Sequence, residues 1–200
     1  NIRRNLYMPD NTKTNLGIAL KKLLKEKPLE KIRIHDLTKL AGINRQSFYY
    51  HYADIYALVG DVIRTAIFET VGEHCTMDTW EEGMLAMYQR TLEEKEFVVA
   101  VYNAIPKERI QLFLEDVLTT YMIYALKDTA GGQLLSEEDR DIFIRFITYG
   151  FTGTYLQWIQ NGMRADPSVI ISRVSVLTKE GLSSAIIRSI TTTQENKEEV

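Results

Sequence analysis

Residues 33–52, RIHDLTKLAGINRQSFYYHY, constrain this chain more than any other stretch, because they read as two short helices joined by a tight turn. Leu37, Leu40 and Ala41 recur at helical spacing, and Gly42 supplies the backbone freedom a helix stop needs before Ile43 returns to the interior. Asn44 is an N-cap residue, so a second helix is expected from about Arg45 to His51. On it Phe48 and Tyr52, four apart, can point inward, which leaves Arg45, Gln46, Ser47, Tyr49, Tyr50 and His51 for solvent or a partner. A helix of about two turns holds only by packing on its neighbours. Rigidly held and polar on its outer face, it suits the DNA major groove, with base edges meeting its first residues and phosphates its flanks.

The charge distribution agrees with that reading. The net charge of −3 argues against a nucleic-acid partner until it is divided along the chain. Residues 1–60 carry 11 Lys/Arg against 5 Asp/Glu, whereas the remainder carries 13 against 22. A basic head can hold phosphates while an acidic body stays off them. Taken singly, Lys21, Lys22, Lys25 and Lys27 read equally well as a solvated helix face.

The run from Leu37 to Tyr52, with Ala41-Gly42-Ile43-Asn44 at the turn and Ser47-Phe48-Tyr49 and His51-Tyr52 on the second helix, resembles the TetR family of transcriptional regulators. The resemblance covers roughly residues 12–60, and INRQSFYYHY looks like the branch that includes activators of dihydroxyacetone kinase operons. It implies an all-α fold with a head at residues 1–53 and a helical regulatory and dimerisation domain at 54–190; from its polar composition the stretch 191–200 reads as a disordered tail. It also implies base-edge contacts from Asn44, Arg45, Gln46 and Ser47, phosphate contacts from Tyr49 and His51, and a groove contact from His35. Tyr50 belongs to the same exposed set. Two positions depart from the family pattern. Arg33 stands where many relatives cap the first motif helix with Thr or Ser, and Ala53-Asp54-Ile55 lacks the lysine that grips phosphate in many relatives.

The rest of the chain reads as further helices. The first runs from about Asn11 to Lys25 with Leu16, Ala19, Leu20, Leu23 and Leu24 on one stripe, and Lys13 and Thr14 at its start are candidate phosphate contacts. Asp54 caps a connector reaching about His74, and any tilt of it would move the reading helix. Thr79-Trp80-Glu81-Glu82 reads as a capping box. Pro106 opens a long helix, Ala130-Gly131-Gly132-Gln133 is a loop, and Ser136 and Asp166-Pro167 open two more helices, the last broken at Gly181.

Phe143, Phe146, Ile147, Gly150, Phe151 and Thr154 give the penultimate helix an apolar arc too wide for one neighbour, and Ile170, Val174 and Leu177 offer a matching face on the next. In TetR-like proteins the corresponding helices pair across a two-fold axis, so the resemblance implies a homodimer reading a palindromic operator. Met84, Met87, Tyr88, Phe97, Tyr102, Phe113, Tyr121, Tyr124, Tyr149 and Trp158 form an aromatic and Met-rich set that suits either a plain core or a pocket for a small effector. The resembled branch points instead to a protein co-activator docking on the body.

No cofactor or metal site is expected. His74, Cys75 and Asp78 match no recognised ligand spacing, and a lone cysteine leaves no internal disulfide. No Gly-rich phosphate loop or nucleophile elbow is present, and two of the three histidines fall inside the motif, so the reading is a regulator and not an enzyme. A helical enzyme or scaffold remains the remote alternative. No apolar run follows Asn1-Ile2-Arg3-Arg4, and no stretch is long and apolar enough to span a bilayer, which fits a bacterial cytoplasmic protein.

Overall fold

The computed structural model describes residues 11–72, 74, 76, 79–127 and 135–198, without the side chains of 127, 182–183 and 185–198. Among the described residues there are nine α-helices, one 3-10 turn and no strand. The chain folds as two compact units, one holding residues 1–73 and 90–110, the other 74–89 and 111–200.

The first unit begins with α1 (Asn11–Glu26), the 3-10 turn Leu29–Lys31, α2 (Ile34–Ala41), α3 (Arg45–His51) and α4 (Ile55–Val71). The apolar stripe of α1 is buried at Leu16, Ala19, Leu20 and Leu23, against Leu37, Phe48, Leu58 and Val59 from the helices that follow. The head is not closed by these helices alone. Val101 of α6 (Lys95–Ala104) is part of the same core, with Phe97, Ala104 and Ile105 packed on it. A sequence boundary at 53 therefore falls inside a compact unit. Three short helices leave apolar surface uncovered, and burying a side chain such as Val101 contributes about 1.5–3 kcal/mol. Leu40, expected on the inner face, is exposed, while Thr38 is buried and donates to the His35 carbonyl.

The second unit is built from α5 (Trp80–Glu93), α7 (Lys107–Lys127), α8 (Glu137–Gln160) and α9 (Pro167–Glu198), with α5 and α7 each contributing residues to both units. Its core holds Met84, Tyr88, Val117, Tyr121, Leu126 and Ile144. Tyr88 meets Tyr155 edge-on at 5.2 Å and Trp158 at 4.7 Å, and Trp80 meets Phe151 at 5.4 Å. Ser136 caps α8 by accepting from the Asp139 amide, and Gly162, at φ 76°, turns the chain after it. Glu81 accepts from Ser175 and pairs with Lys179, tying α5 to α9.

Three expectations are corrected here. The connector stops at Val71 with Gly72 as its cap, a turn short of His74. Gly181 does not break α9, which runs on as helix to Glu198 through the stretch expected to be a disordered tail. A glycine costs a helix about 1 kcal/mol without removing its hydrogen bonds, so a long helix carries one. The expected loop at 130–133 lies outside the described residues, as do Cys75 and Asp78.

Candidate nucleic-acid interface

The turn of the motif forms as its residues require. Gly42 adopts φ 69°, ψ 30°, a left-handed conformation that side chains disfavour, and its amide bonds to the Thr38 carbonyl to end α2. Asn44 then accepts from the Ser47 amide at 2.8 Å and starts α3. The start of α2 replaces the usual Thr or Ser cap with a carboxylate reaching back: Asp36 accepts from the Arg33 amide at 3.2 Å and pairs with Lys27 at 2.5 Å. These contacts hold the Asp36 carboxyl below the usual carboxylate range, the Lys27 hydrogen bond first and the Arg33 amide second.

The anchor of α3 is Phe48, fully buried among the head residues, with Tyr52 beside it. The Tyr52 hydroxyl donates to Asp61 at 2.5 Å, fixing α3 to α4. What remains outward is a polar and aromatic face. Arg45, Gln46, Tyr49 and Tyr50 are exposed, Tyr50 at 86 %, and Ser47 and His51 are half-buried. Tyr50 and His51 meet edge-on at 5.0 Å. His35 on α2 and Thr14 on α1 are also exposed. Lys13 is half-buried, with its ammonium 3.6 Å from Asp61 and 5.7 Å from the Tyr52 ring centre, so any phosphate it grips competes with that carboxylate.

The other expected sites divide. Met84, Met87, Tyr88, Tyr121 and Trp158 are buried in the second unit. Tyr121 donates to the His74 carbonyl, and Phe113 and Tyr124 are half-buried. Phe97 and Tyr102 belong to the first unit, and Tyr149 is exposed, so these three do not join the buried aromatic set of the second unit. Aromatic composition marks a residue as large and apolar; which core it enters depends on where its helix lies. The polar partners that the aromatic set overlooked are Thr148 and Thr152, buried four apart on α8. Their spacing inside an apolar stripe was the available signal.

Of the expected seam, Phe146 at 75 % and Leu177 at 73 % are exposed, with Gly150. Phe143, Thr154, Ile170 and Val174 are half-buried. Ile147 and Phe151 are instead buried within the chain, because the inner arc of so wide a stripe faces its own unit. Among the described residues no cluster of His, Cys, Asp or Glu is arranged to hold a metal, and no helix is long and apolar enough to cross a membrane.

An all-helical chain with a capped helix-turn-helix and an outward polar reading face has the architecture of a DNA-binding regulator. Residues 78–180, just over half of the chain, match the family model for the C-terminal region of a TetR-type transcriptional regulator. The chain belongs to the TetR family and is a DNA-binding transcriptional regulator. No curated protein matches it. Among solved structures its fold is similar to that of the dihydroxyacetone kinase operon activator DhaS, with a TM-score of 0.64 at 15% identity, covering 87% of this chain and 97% of that one.

Proposed function

We propose that this regulator works as a homodimer on a palindromic operator, in the bacterial cytoplasm, with operator affinity set by an effector bound to the second unit. The observation that carries the dimer is the outward stripe of α8, where Ile142, Phe146 and Tyr149 are exposed alongside Gly150 and Gly153. Nothing lies within 4 Å of where a side chain on either glycine would begin. Large apolar side chains beside bare backbone suit close approach of a second helix, and Val176 and Leu177 on α9 are exposed as well. Two copies of α3 would then read two half-sites about one helical turn apart. Sedimentation of the full chain tests this: a dimer is expected, and a monomer at tens of micromolar would rule it out.

The effector reading rests on the Trp80 Nε1 and on the hydroxyls of Tyr88, Thr148 and Thr152, which are buried and have no hydrogen-bond partner among the described residues. Burial, with Tyr155 adding to it, pushes the Tyr88 phenol well above its ordinary range, so it stays a neutral donor. Such atoms are costly unless something satisfies them, and a small neutral molecule with hydrogen-bonding groups entering between α5 and α8 would do so. A second reading, an activator and not a repressor, is favoured by the likeness of the fold to DhaS, an operon activator; a protein co-activator in place of a small effector belongs to that reading. Transcription from the operator with purified polymerase, with and without candidate effectors, separates the two.

A further inference from the structure

We infer that Arg45 reads a guanine in each half-site and that Tyr49 positions it, locking the base contact to a phosphate contact; this rests on the operator reading above. Buried Phe48 meets the Tyr49 ring edge-on at 5.6 Å. Tyr49 in turn accepts a hydrogen bond from Arg45 Nη2 at 3.2 Å, with the guanidinium 5.5 Å from its ring centre. The arginine that opens the reading helix is thus linked to the head core through two aromatic rings. A long arginine ordinarily loses several rotamers on binding, and here part of that ordering is already in place.

The chemistry selects the base. A guanidinium has five N–H donors and no acceptor, so with one given to Tyr49 the others can still fork onto O6 and N7. Guanine offers two acceptors side by side in the major groove, whereas adenine presents one acceptor and one donor. The Tyr49 hydroxyl accepts from Arg45 and keeps its own proton to donate, which suits a phosphate oxygen of the flanking strand. Tyr49 is then a positioning residue that sets the guanidinium in register with the backbone.

The test uses the full chain and duplexes enriched from a random pool. Wild type should select one guanine per half-site, and replacing it with 7-deazaguanine, which lacks N7, should weaken binding about tenfold. Arg45→Ala should select no base at that position and be indifferent to the 7-deaza change. Arg45→Lys, which keeps the charge without the fork, should lose most of the discrimination. Tyr49→Phe should lose several-fold discrimination at the same guanine and weaken binding with the salt slope unchanged, because a neutral hydroxyl displaces no counterion from the phosphate. Arg45→Ala selecting the same guanine overturns the base assignment while leaving the operator reading intact. Tyr49→Phe with discrimination unchanged overturns the positioning role. No enrichment by wild type removes the operator reading and this inference with it.

Discussion

Lys21 of α1 and Glu94, at the corner where α5 gives way to α6, are joined by an ion pair of 2.5 Å, with Arg90 on the other side of the same carboxylate. Lys21 also lies 5.3 Å from the ring centre of Phe97, which packs on the head core. The contact makes the α5–α6 corner part of the head, alongside the connector helix α4.

Glu94→Gln should therefore loosen the head without touching the reading face. Removing a partly buried carboxylate with two cationic partners is expected to cost about 1 kcal/mol, discounted for the exposure of Lys21 and Arg90. Denaturant unfolding monitored by circular dichroism checks this. An unchanged midpoint would mean that the corner is only loosely attached.

Acid should weaken the same unit. Burial raises the Glu94 carboxyl, but Lys21 and Arg90 outweigh it and leave it below its ordinary value; Asp36 is lowered by Lys27 and the Arg33 amide. Groups with depressed folded values contribute stability above the unfolded values, near about 4, and lose it as pH falls through the folded ones. Unfolding midpoints between pH 7 and 3 should fall in that acid range. The gap between wild type and Asp36→Asn should narrow steadily as the pH falls below about 4; a gap that does not narrow would contradict the assignment.

Gly42→Ala should destabilise the motif by about 1–2 kcal/mol. Nothing lies within 4 Å of the added methyl, so the cost is that of holding φ at 69°. Thermal melting measures it, and a wild-type melting temperature would show that the turn has relaxed to another conformation.

Phe146→Glu should turn a dimer into a monomer and reduce operator affinity, because a carboxylate in an apolar seam is buried without a partner. Its exposure within the chain means the monomer fold should survive, which circular dichroism verifies. A dimer that persists would place the interface elsewhere.

Thr152→Val should stabilise the second unit by about 1 kcal/mol, since it keeps the shape and removes a buried hydroxyl with no partner among the described residues. The gain should appear in the melting temperature of the effector-free protein. A loss instead would mean that the hydroxyl is satisfied in solution.

The head was legible because its signals are local. The Gly42 turn, the Asn44 cap, the Asp54 cap and the Phe48–Tyr52 spacing each depend on residues within a few positions, and each forms as its residues demand. What could not be read is long-range. Nothing near Val101 announces that it completes a core begun at Leu16, and nothing near Glu94 names Lys21, 73 positions away, as its partner. Phe97 and Tyr102 looked like Tyr88 in composition and belong to a different unit. The seam was legible as a stripe, but a stripe that wide has an inner and an outer arc, and only burial separates Ile147 from Phe146.

The most direct measurement is sedimentation of the full chain with the duplex it enriches from a random pool. A palindromic sequence carrying two subunits per duplex is expected, with affinity falling steeply as salt rises. A duplex without two-fold symmetry, or one subunit per site at saturation, would contradict it.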